Sequence, residues 1–178
     1  MKSINLLFTK STNNVIGREN EMLWYLSKED TEFRDKTKNQ IVLMGMRTWE
    51  TIPTVQKPFS DRVNIIVTRD KSFTYYDDNV NVVYDLEWYL NEYKNSDTDK
   101  QLWIIGGGQI LSQSVKYADN IEVIEIDTMV TGEIKAPKID GRSFRLHNST
   151  EMKTDSFSGI DYFKSYYQRI SASWLETN

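Results

Sequence analysis

The sequence predicts an α/β fold with a mostly parallel central sheet, helices on both faces and a C-terminal antiparallel hairpin. Short, wholly apolar runs alternate along the chain with longer segments that carry charges at helical spacing. Such runs are typical of strands buried on both faces of a parallel sheet, where each crossover places a helix over the sheet. After Gly132 the pattern changes to aromatic and alternating polar residues, which favours an antiparallel hairpin at the sheet edge.

Each element follows from a local signal. Ser27 can cap the first helix, and Asp85 can cap the third, because their side-chain oxygens can accept a backbone N–H of the first turn. Strands are predicted at 4–9, 41–44, 63–68, 80–84, 102–105 and 121–127, helices at 28–38, 46–52, 86–93 and 108–115, and the hairpin at 144–157 and 161–170.

Composition limits the classes of function. A chain of 178 residues with 39% hydrophobic content buries one core, so we expect a single domain over 1–170 and a C-terminal tail over 171–178. A net charge of -4 disfavours nucleic acid as a partner, and the absence of cysteine together with a lone His147 disfavours a metal site. The first apolar run ends after a few residues, which is too short for a signal peptide or a membrane span. We therefore expect a cytoplasmic monomer.

Two features near the N-terminus could carry chemistry. The segment 15–24 joins a strand to a helix and contains Gly17 and Trp24, although a plain surface loop would look the same. Glu29 and Phe33 are spaced i and i+4, so a carboxylate and an aromatic ring share one helix face. If that face is buried, the carboxylate needs a ligand or a proton to compensate it, whereas on a solvated helix start it would only favour the helix dipole.

Two strand ends carry glycine. Gly106, Gly107 and Gly108 follow an apolar strand and precede a helix, which lets a phosphate approach backbone N–H groups. Gly45 ends another strand, and Arg47 and Thr48 follow it in the first helical turn, while Arg69 follows a third strand. Two arginines at two strand ends could bind one phosphate, although each is also an ordinary surface residue.

In this order and spacing, IGRENEMLW, MGMRTWETIP, RVNIIVT and WIIGGGQI resemble the motifs of the dihydrofolate reductase family. The resemblance runs from about Ile4 to Gly132 and is compatible to about Arg169. It implies a mostly parallel, eight-stranded sheet and a reductase that transfers hydride from NADPH to C6 of 7,8-dihydrofolate, with protonation of N5. It also implies antifolate inhibitors as ligands and a cis peptide between Gly106 and Gly107.

The resemblance assigns roles residue by residue. Glu29 matches the pocket acid, Trp24 the tryptophan that holds a water near it, and Met22 the mobile loop, as catalytic residues. Substrate binding is expected of Leu7, Glu29, Phe33, Ile52, Phe59, Arg62, Ile105 and Ile124. NADPH binding is expected of Thr9, Val15, Ile16, Gly17, Asn20, Gly45, Arg47, Thr48, Thr68, Arg69, Gly106, Gly107, Gly108, Gln109, Ile110 and Gln113.

The sequence departs from the family at several places, and it leaves rival functions open. Leu23 stands where proline often precedes the loop tryptophan, Ile124 stands where threonine is common, and Asp30 places a second carboxylate beside Glu29. One rival is an NADPH-dependent pyrimidine reductase on the same scaffold, which Arg62 beside Phe59 disfavours. Another is a non-catalytic relative that keeps only the fold, which the presence of both Glu29 and Trp24 disfavours.

Overall fold

The structure is a computed structural model that describes residues 1–18 and 23–171. The strands of this part of the chain are β1 (Ile4–Lys10), β2 (Val15–Gly17), β3 (Ile41–Gly45), β4 (Val63–Val67), β5 (Val80–Val83), β6 (Leu102–Ile104), β7 (Asn120–Ile126), β8 (Ile134–Lys135), β9 (Phe144–Ser149), β10 (Lys153–Thr154) and β11 (Asp161–Arg169). The helices are α1 (Ser27–Thr37), α2 (Met46–Thr51), α3 (Leu86–Asn95) and α4 (Gly108–Ser114), with short 3-10 turns at Thr54–Gln56 and Val115–Tyr117.

One large sheet runs in the order β10-β11-β7-β1-β6-β3-β4-β5. The strands from β7 to β5 are parallel to their neighbours, and β11 pairs with β7 in the antiparallel sense. β9 and β10 both pair with β11, β10 near its start and β9 along its second half. Because these two strands share one edge, the sheet has eight positions, and the predicted fold class is confirmed.

Both faces of the sheet are covered. Leu6 and Leu43 point to a cluster that includes Leu90 of α3 and Leu111 of α4. The alternate residues of the same strands point the other way, as Met44 does toward a cluster that contains Trp49 of α2 and touches Phe33 of α1. Since side chains alternate along a strand, burial on both faces requires the continuous apolar runs from which the fold was predicted. Among the described residues, no helix combines the length and the apolarity needed to cross a lipid bilayer.

Two local predictions were wrong. Within the predicted loop 15–24, Val15–Gly17 forms β2, which pairs with Ile134–Lys135 in a small second sheet. Ser27 does not cap α1, since Leu26 occupies the N-cap position. The backbone N–H and the hydroxyl of Ser27 instead donate to Asp155 Oδ1, both at 2.9 Å. Both errors have the same cause, because the partner lies more than a hundred residues away in sequence and leaves no local signal.

Candidate functional site

A cavity of about 1280 Å³ opens at the carboxyl edge of the parallel strands. Its wall includes residues at or just after the ends of β1, β3, β4 and β6, and helices α1, α2 and α4 close its sides. Open α/β sheets bind ligands at this edge, because successive loops diverge there and leave a crevice. We distinguish two parts of the cavity, the acid half around Glu29 and the glycine half around Gly45, Gly106 and Gly107.

The acid half is mostly apolar. Phe33 of α1 and Phe59 face each other edge to face, with ring centroids 5.6 Å apart. Trp24 and Ile124 also contribute to the wall. Such a slot excludes water from a flat ligand and contacts both of its faces. The structure brings the following predicted substrate residues to the wall of this cavity: Leu7, Glu29, Phe33, Ile52, Phe59, Ile105 and Ile124.

Glu29 is the buried acid of this half, with only 5% of the residue exposed. Its carboxylate is paired, which the sequence did not indicate. Lys164 Nζ lies 2.8 Å from Glu29 Oε2, and the Tyr162 hydroxyl donates to Glu29 Oε1 at 3.1 Å. A buried carboxylate is costly without a compensating charge and hydrogen bonds, and here it has both.

Lys164 and Tyr162 contact the carboxylate of Glu29, and the sequence analysis did not single them out. Both lie on β11 two positions apart, so their side chains project from the same face of the strand. The only signal was a lysine in a strand otherwise rich in aromatic residues, which normally indicates a solvated face. Burial raises the pKa of Tyr162 to about 12, and the neighbouring Glu29 charge acts in the same direction. Burial alone would lower the pKa of Lys164, but its hydrogen bond and ion pair with Glu29 outweigh burial and raise it.

Asp30 also reaches the cavity wall, although on an ideal helix it lies about 100° round the axis from Glu29. Its carboxylate accepts a hydrogen bond from Arg34 Nε at 2.9 Å, one turn along α1. Asp30 is half-exposed, whereas Glu29 is buried. The two carboxylates therefore differ in environment, and Glu29 is the one held in the low-dielectric part of the site.

Arg62 is not among the residues that line the cavity, but its guanidinium carbon lies 5.6 Å from the centroid of the Phe59 ring, which does line it. It is buried, and its Nη2 donates to the Arg34 carbonyl at 3.2 Å. In the part of the chain that the structure describes, Nε and Nη1 have no hydrogen-bond partner. Burial and the positive charge of Arg34 lower the pKa of Arg62. A buried guanidinium with two free donors is a site for an anionic group.

The glycine half lets a ligand approach the backbone closely. The Gly106-Gly107 peptide is cis, as expected, and Gly106 has a φ of 132°, which favours glycine. A Cβ at Gly45 would come within 3.0 Å of Ile110 Cγ1, and one at Gly106 within 3.3 Å of Thr48 Oγ1. The Gly45 N–H donates to the Gly106 carbonyl at 2.8 Å, so the ends of β3 and β6 are held together. Larger residues would fill the space between these strand ends.

Two exposed arginines lie at the rim of the glycine half. Arg47 is in the first turn of α2 and Arg69 follows β4, and both reach the cavity wall. The structure brings these predicted cofactor residues to the same cavity: Thr9, Ile16, Gly17, Gly45, Arg47, Thr48, Thr68, Arg69, Gly106, Gly107, Gly108, Gln109, Ile110 and Gln113. Val15 is buried in β2 and does not reach the wall. Met22 and Asn20 lie outside the described residues.

Comparison with known proteins agrees with this architecture. A family model for dihydrofolate reductase matches residues 3–169. The dihydrofolate reductase of Mycobacterium tuberculosis is 32% identical over 143 residues, which cover 79% of this chain and 83% of that protein. The dihydrofolate reductase of Neisseria gonorrhoeae is 29% identical over 167 residues, 94% of this chain and 98% of the relative.

The fold has a solved counterpart. A structure of dihydrofolate reductase from Enterococcus faecalis, complexed with NADP(H) and RAB-propyl, superposes with a TM-score of 0.83. The superposition covers 95% of this chain and 97% of the Enterococcus faecalis chain, at 19% sequence identity. At that identity the superposition establishes the fold, whereas the family model and the mycobacterial relative establish the family. This chain belongs to the dihydrofolate reductase family and is an oxidoreductase that acts on dihydrofolate.

Proposed function

We propose that Glu29 binds and orients the pteridine ring of dihydrofolate in the acid half while NADPH occupies the glycine half. The observation that carries this proposal is a buried carboxylate in the wall of an otherwise apolar slot. The amino-pyrimidine edge of a pterin presents two parallel N–H donors, which match the two oxygens of one carboxylate. Each oxygen of Glu29 accepts one bond from the protein and keeps a further lone pair for the ligand.

The apolar residues of the acid half position the ring and exclude water. Phe33 and Phe59 would pack against the ring system, and Leu7, Ile105 and Ile124 would limit its movement. Trp24 would hold the water through which a proton reaches N5. Orienting two flat rings face to face supplies much of the acceleration in such a reaction, because the reactants no longer have to find the productive geometry. Antifolate inhibitors would occupy the same slot.

Arg62 would bind the glutamate carboxylate of dihydrofolate. Two of its three nitrogens have no hydrogen-bond partner among the described residues, and a planar guanidinium matches a carboxylate in a bidentate manner. Its guanidinium carbon lies 5.6 Å from the centroid of the Phe59 ring, which supports a position for the tail of the substrate next to the ring-binding slot. The same feature disfavours the rival pyrimidine reductase, whose ribityl phosphate has a different shape and charge.

The residues of the glycine half fit a dinucleotide. The strand ends that meet at Gly45 and Gly106 leave room for a pyrophosphate, and Thr48 can donate its hydroxyl there. Arg47 and Arg69 would bind the 2′-phosphate that distinguishes NADPH from NADH. When bound, NADPH supplies the hydride that is transferred to C6. Val15, now placed in β2, would act only by holding the neighbouring Ile16 and Gly17 at the cavity wall.

We also propose that the protein acts as a monomer in the cytoplasm. The described residues of one chain supply both halves of the cavity, so no second copy is needed to complete the site. Sedimentation equilibrium at the enzyme concentration of the assay tests the first point. A dimer that persists at that concentration would contradict it.

The test of the function is the loss of reduced-nicotinamide absorbance on mixing the protein, NADPH and dihydrofolate. We expect rapid turnover by the wild-type protein and slow turnover with NADH. Glu29→Gln should keep NADPH binding and reduce turnover by roughly a hundredfold or more, as expected when an acid–base contribution is lost. Asp30→Asn is the matched control, because Asp30 is the adjacent acid on the same helix, and it should retain most of the activity.

Either of two results would contradict the assignment. Undiminished turnover by Glu29→Gln at neutral pH would remove the role of Glu29. A loss of a hundredfold in Asp30→Asn alone would transfer that role to Asp30.

A further inference from the structure

The acid of the catalytic slot is ion-paired with a lysine from the far end of the chain. We propose that Lys164 is a positioning residue, which pairs with Glu29 and holds its carboxylate in one orientation at the wall of the slot. The inference deepens the proposed role of Glu29 and rests on it. It concerns the orientation and the surroundings of one carboxylate, which can be measured without turnover.

Geometry gives the first argument. Lys164 is 1% exposed, and its Nζ lies 2.8 Å from Glu29 Oε2. On the other oxygen, the Tyr162 hydroxyl donates at 3.1 Å. Two donors from one strand thus hold the two oxygens of one carboxylate, which fixes the plane of the group. Because the carboxylate must accept two parallel bonds from a pterin edge, this orientation decides whether it can bind the ring.

Charge gives the second argument. A carboxylate in an apolar slot is protonated more readily than one in water, because burial disfavours the ionised form. An adjacent buried ammonium acts in the opposite sense. Lys164 can supply that charge because its own protonated form is stabilised by the pair. If Lys164 only filled space, an uncharged side chain would serve better, because burying a lysine without a partner is costly.

Glu32 is a second ion-pair partner of Lys164. Its Oε2 lies 3.2 Å from Lys164 Nζ, and its side chain is 37% exposed. Burial of Glu32 opposes ionisation, but the hydrogen bond and charge of Lys164 outweigh it and lower the pKa of Glu32. Glu29 and Glu32, spaced i and i+3 on one face of α1, therefore share one cation. Removing the charge of Glu32 should strengthen the hold of Lys164 on Glu29.

The other titratable and charged groups around this cluster have partners or lie beyond it. Asp30 on α1 pairs with Arg34, and Lys36 pairs with Glu122 of β7 at 2.6 Å. Lys28 and Lys153 act on Glu32 by charge, and Asp155 acts in the same way on Tyr162. The centroid of the Tyr166 ring lies 5.6 Å from Lys164 Nζ.

The experiment follows the carboxyl carbon of Glu29 by NMR in protein labelled with 13C at the glutamate side-chain carboxyl. The resonance that disappears in Glu29→Gln identifies the group. In Lys164→Met its chemical shift at neutral pH should move away from the wild-type value, because the ammonium that contacts Glu29 Oε2 is gone. Glu32→Gln, which leaves Lys164 paired with Glu29, should move the resonance by less. Lys164→Arg, which keeps the charge, should restore most of the wild-type behaviour.

Lys10→Met is the matched control. Lys10 lies in the same sheet and pairs with a different carboxylate, Glu125, at 3.5 Å. It should leave the Glu29 resonance and KM for dihydrofolate unchanged. In Lys164→Met KM for dihydrofolate should rise while KM for NADPH stays near its wild-type value, because only the acid half is disturbed. A structural role alone would instead weaken the binding of both ligands.

The outcomes separate the inference from the function. An unchanged Glu29 resonance in Lys164→Met overturns the inference even if the enzyme turns over normally. If Lys164→Met does not fold, Lys164→Gln decides, since it keeps a hydrogen-bond donor but no charge: a changed Glu29 resonance with a raised KM for dihydrofolate supports the inference, and wild-type values of both overturn it. Failure of the function, by contrast, appears as absent turnover in the wild-type protein while the Glu29 resonance is still measurable.

Discussion

The acid half and the glycine half of the cavity are built in different ways. The glycine half consists of strand ends and the helix starts that follow them, so Gly45, Arg47 and Thr48 are neighbours in sequence as well as in space. The acid half combines α1 with β11, and the hydrogen bond from Tyr162 to Glu29 joins residues 133 positions apart. One half depends on backbone shape, and the other depends on buried charges brought together by the fold.

This difference predicts which substitutions should impair ligand binding in each half. Where the backbone makes the site, a single added carbon atom is enough to disturb it, because it approaches Ile110 at Gly45 and Thr48 at Gly106, and the positive φ of Gly106 is strained for any other residue. Where buried charges make the site, removal of one partner leaves the other uncompensated in a low dielectric. The predictions below test this comparison, beginning with the largest expected effect.

Arg62→Met should reduce kcat/KM for dihydrofolate by roughly a hundredfold, in line with the about 2 to 5 kcal/mol lost when one partner of a buried charged pair is removed. The loss should vanish with a dihydropterin that lacks the glutamate tail. Arg62→Lys should restore only part of the activity, since an ammonium lacks the planar fork. Equal losses with both substrates would show that Arg62 supports the packing of Phe59 and does not bind the tail.

Gly106→Ala should raise KM for NADPH by roughly tenfold and leave dihydrofolate binding nearly unchanged. The change combines backbone strain of about 1 to 3 kcal/mol with an approach to Thr48 Oγ1. Gly159→Ala is the matched control, because Gly159 also has positive φ, at 72°, but no atom lies near its added Cβ. It should be less stable but bind NADPH normally, and a similar KM change in both variants would contradict the proposal.

Arg47→Gln and Arg69→Gln should each raise KM for NADPH by about fivefold and leave the slow reaction with NADH unchanged. The effect is smaller than at Arg62 because both arginines are exposed and their charges are screened by solvent. Higher salt should reduce the difference between the wild-type protein and the variants. Arg142→Gln, an exposed arginine outside the cavity, should have no effect on either cofactor.

Asp155→Asn should lower Tm by about 2 to 4 °C at neutral pH with little change in turnover. Hydrogen bonds from the Ser158 backbone, followed by those from the Ser158 and Ser27 side chains, lower the pKa of Asp155 to about 2. In the unfolded chain the pKa of aspartate is about 3.9. Because the folded pKa is the lower one, this stabilisation is present above about pH 4 and is lost as the pH falls toward 2. Calorimetry of both proteins should therefore show Tm values that converge at low pH.

The same contrast explains which features could be predicted from the sequence. The apolar runs predicted the parallel strands. Asp85 could be predicted as a helix cap because its partner is local: its side chain accepts a hydrogen bond from Trp88 N, three residues away. Glycine at strand ends similarly indicated the glycine half. The failures were β2, the start of α1 and the Lys164–Glu29 pair, which all depend on a partner distant in sequence.

The sequence by itself determined the fold class, the order of the strands along the chain, the family and the position of the pocket acid, because these depend on periodicity and local motifs. Only the tertiary structure decided which charges surround that acid. From the sequence, a lysine in a strand is expected to be solvated. Only the packing of the strand against α1 decides that Lys164 is buried and that Glu29 is its partner. The family motifs identify Glu29, but the fold sets the electrostatic environment in which it works.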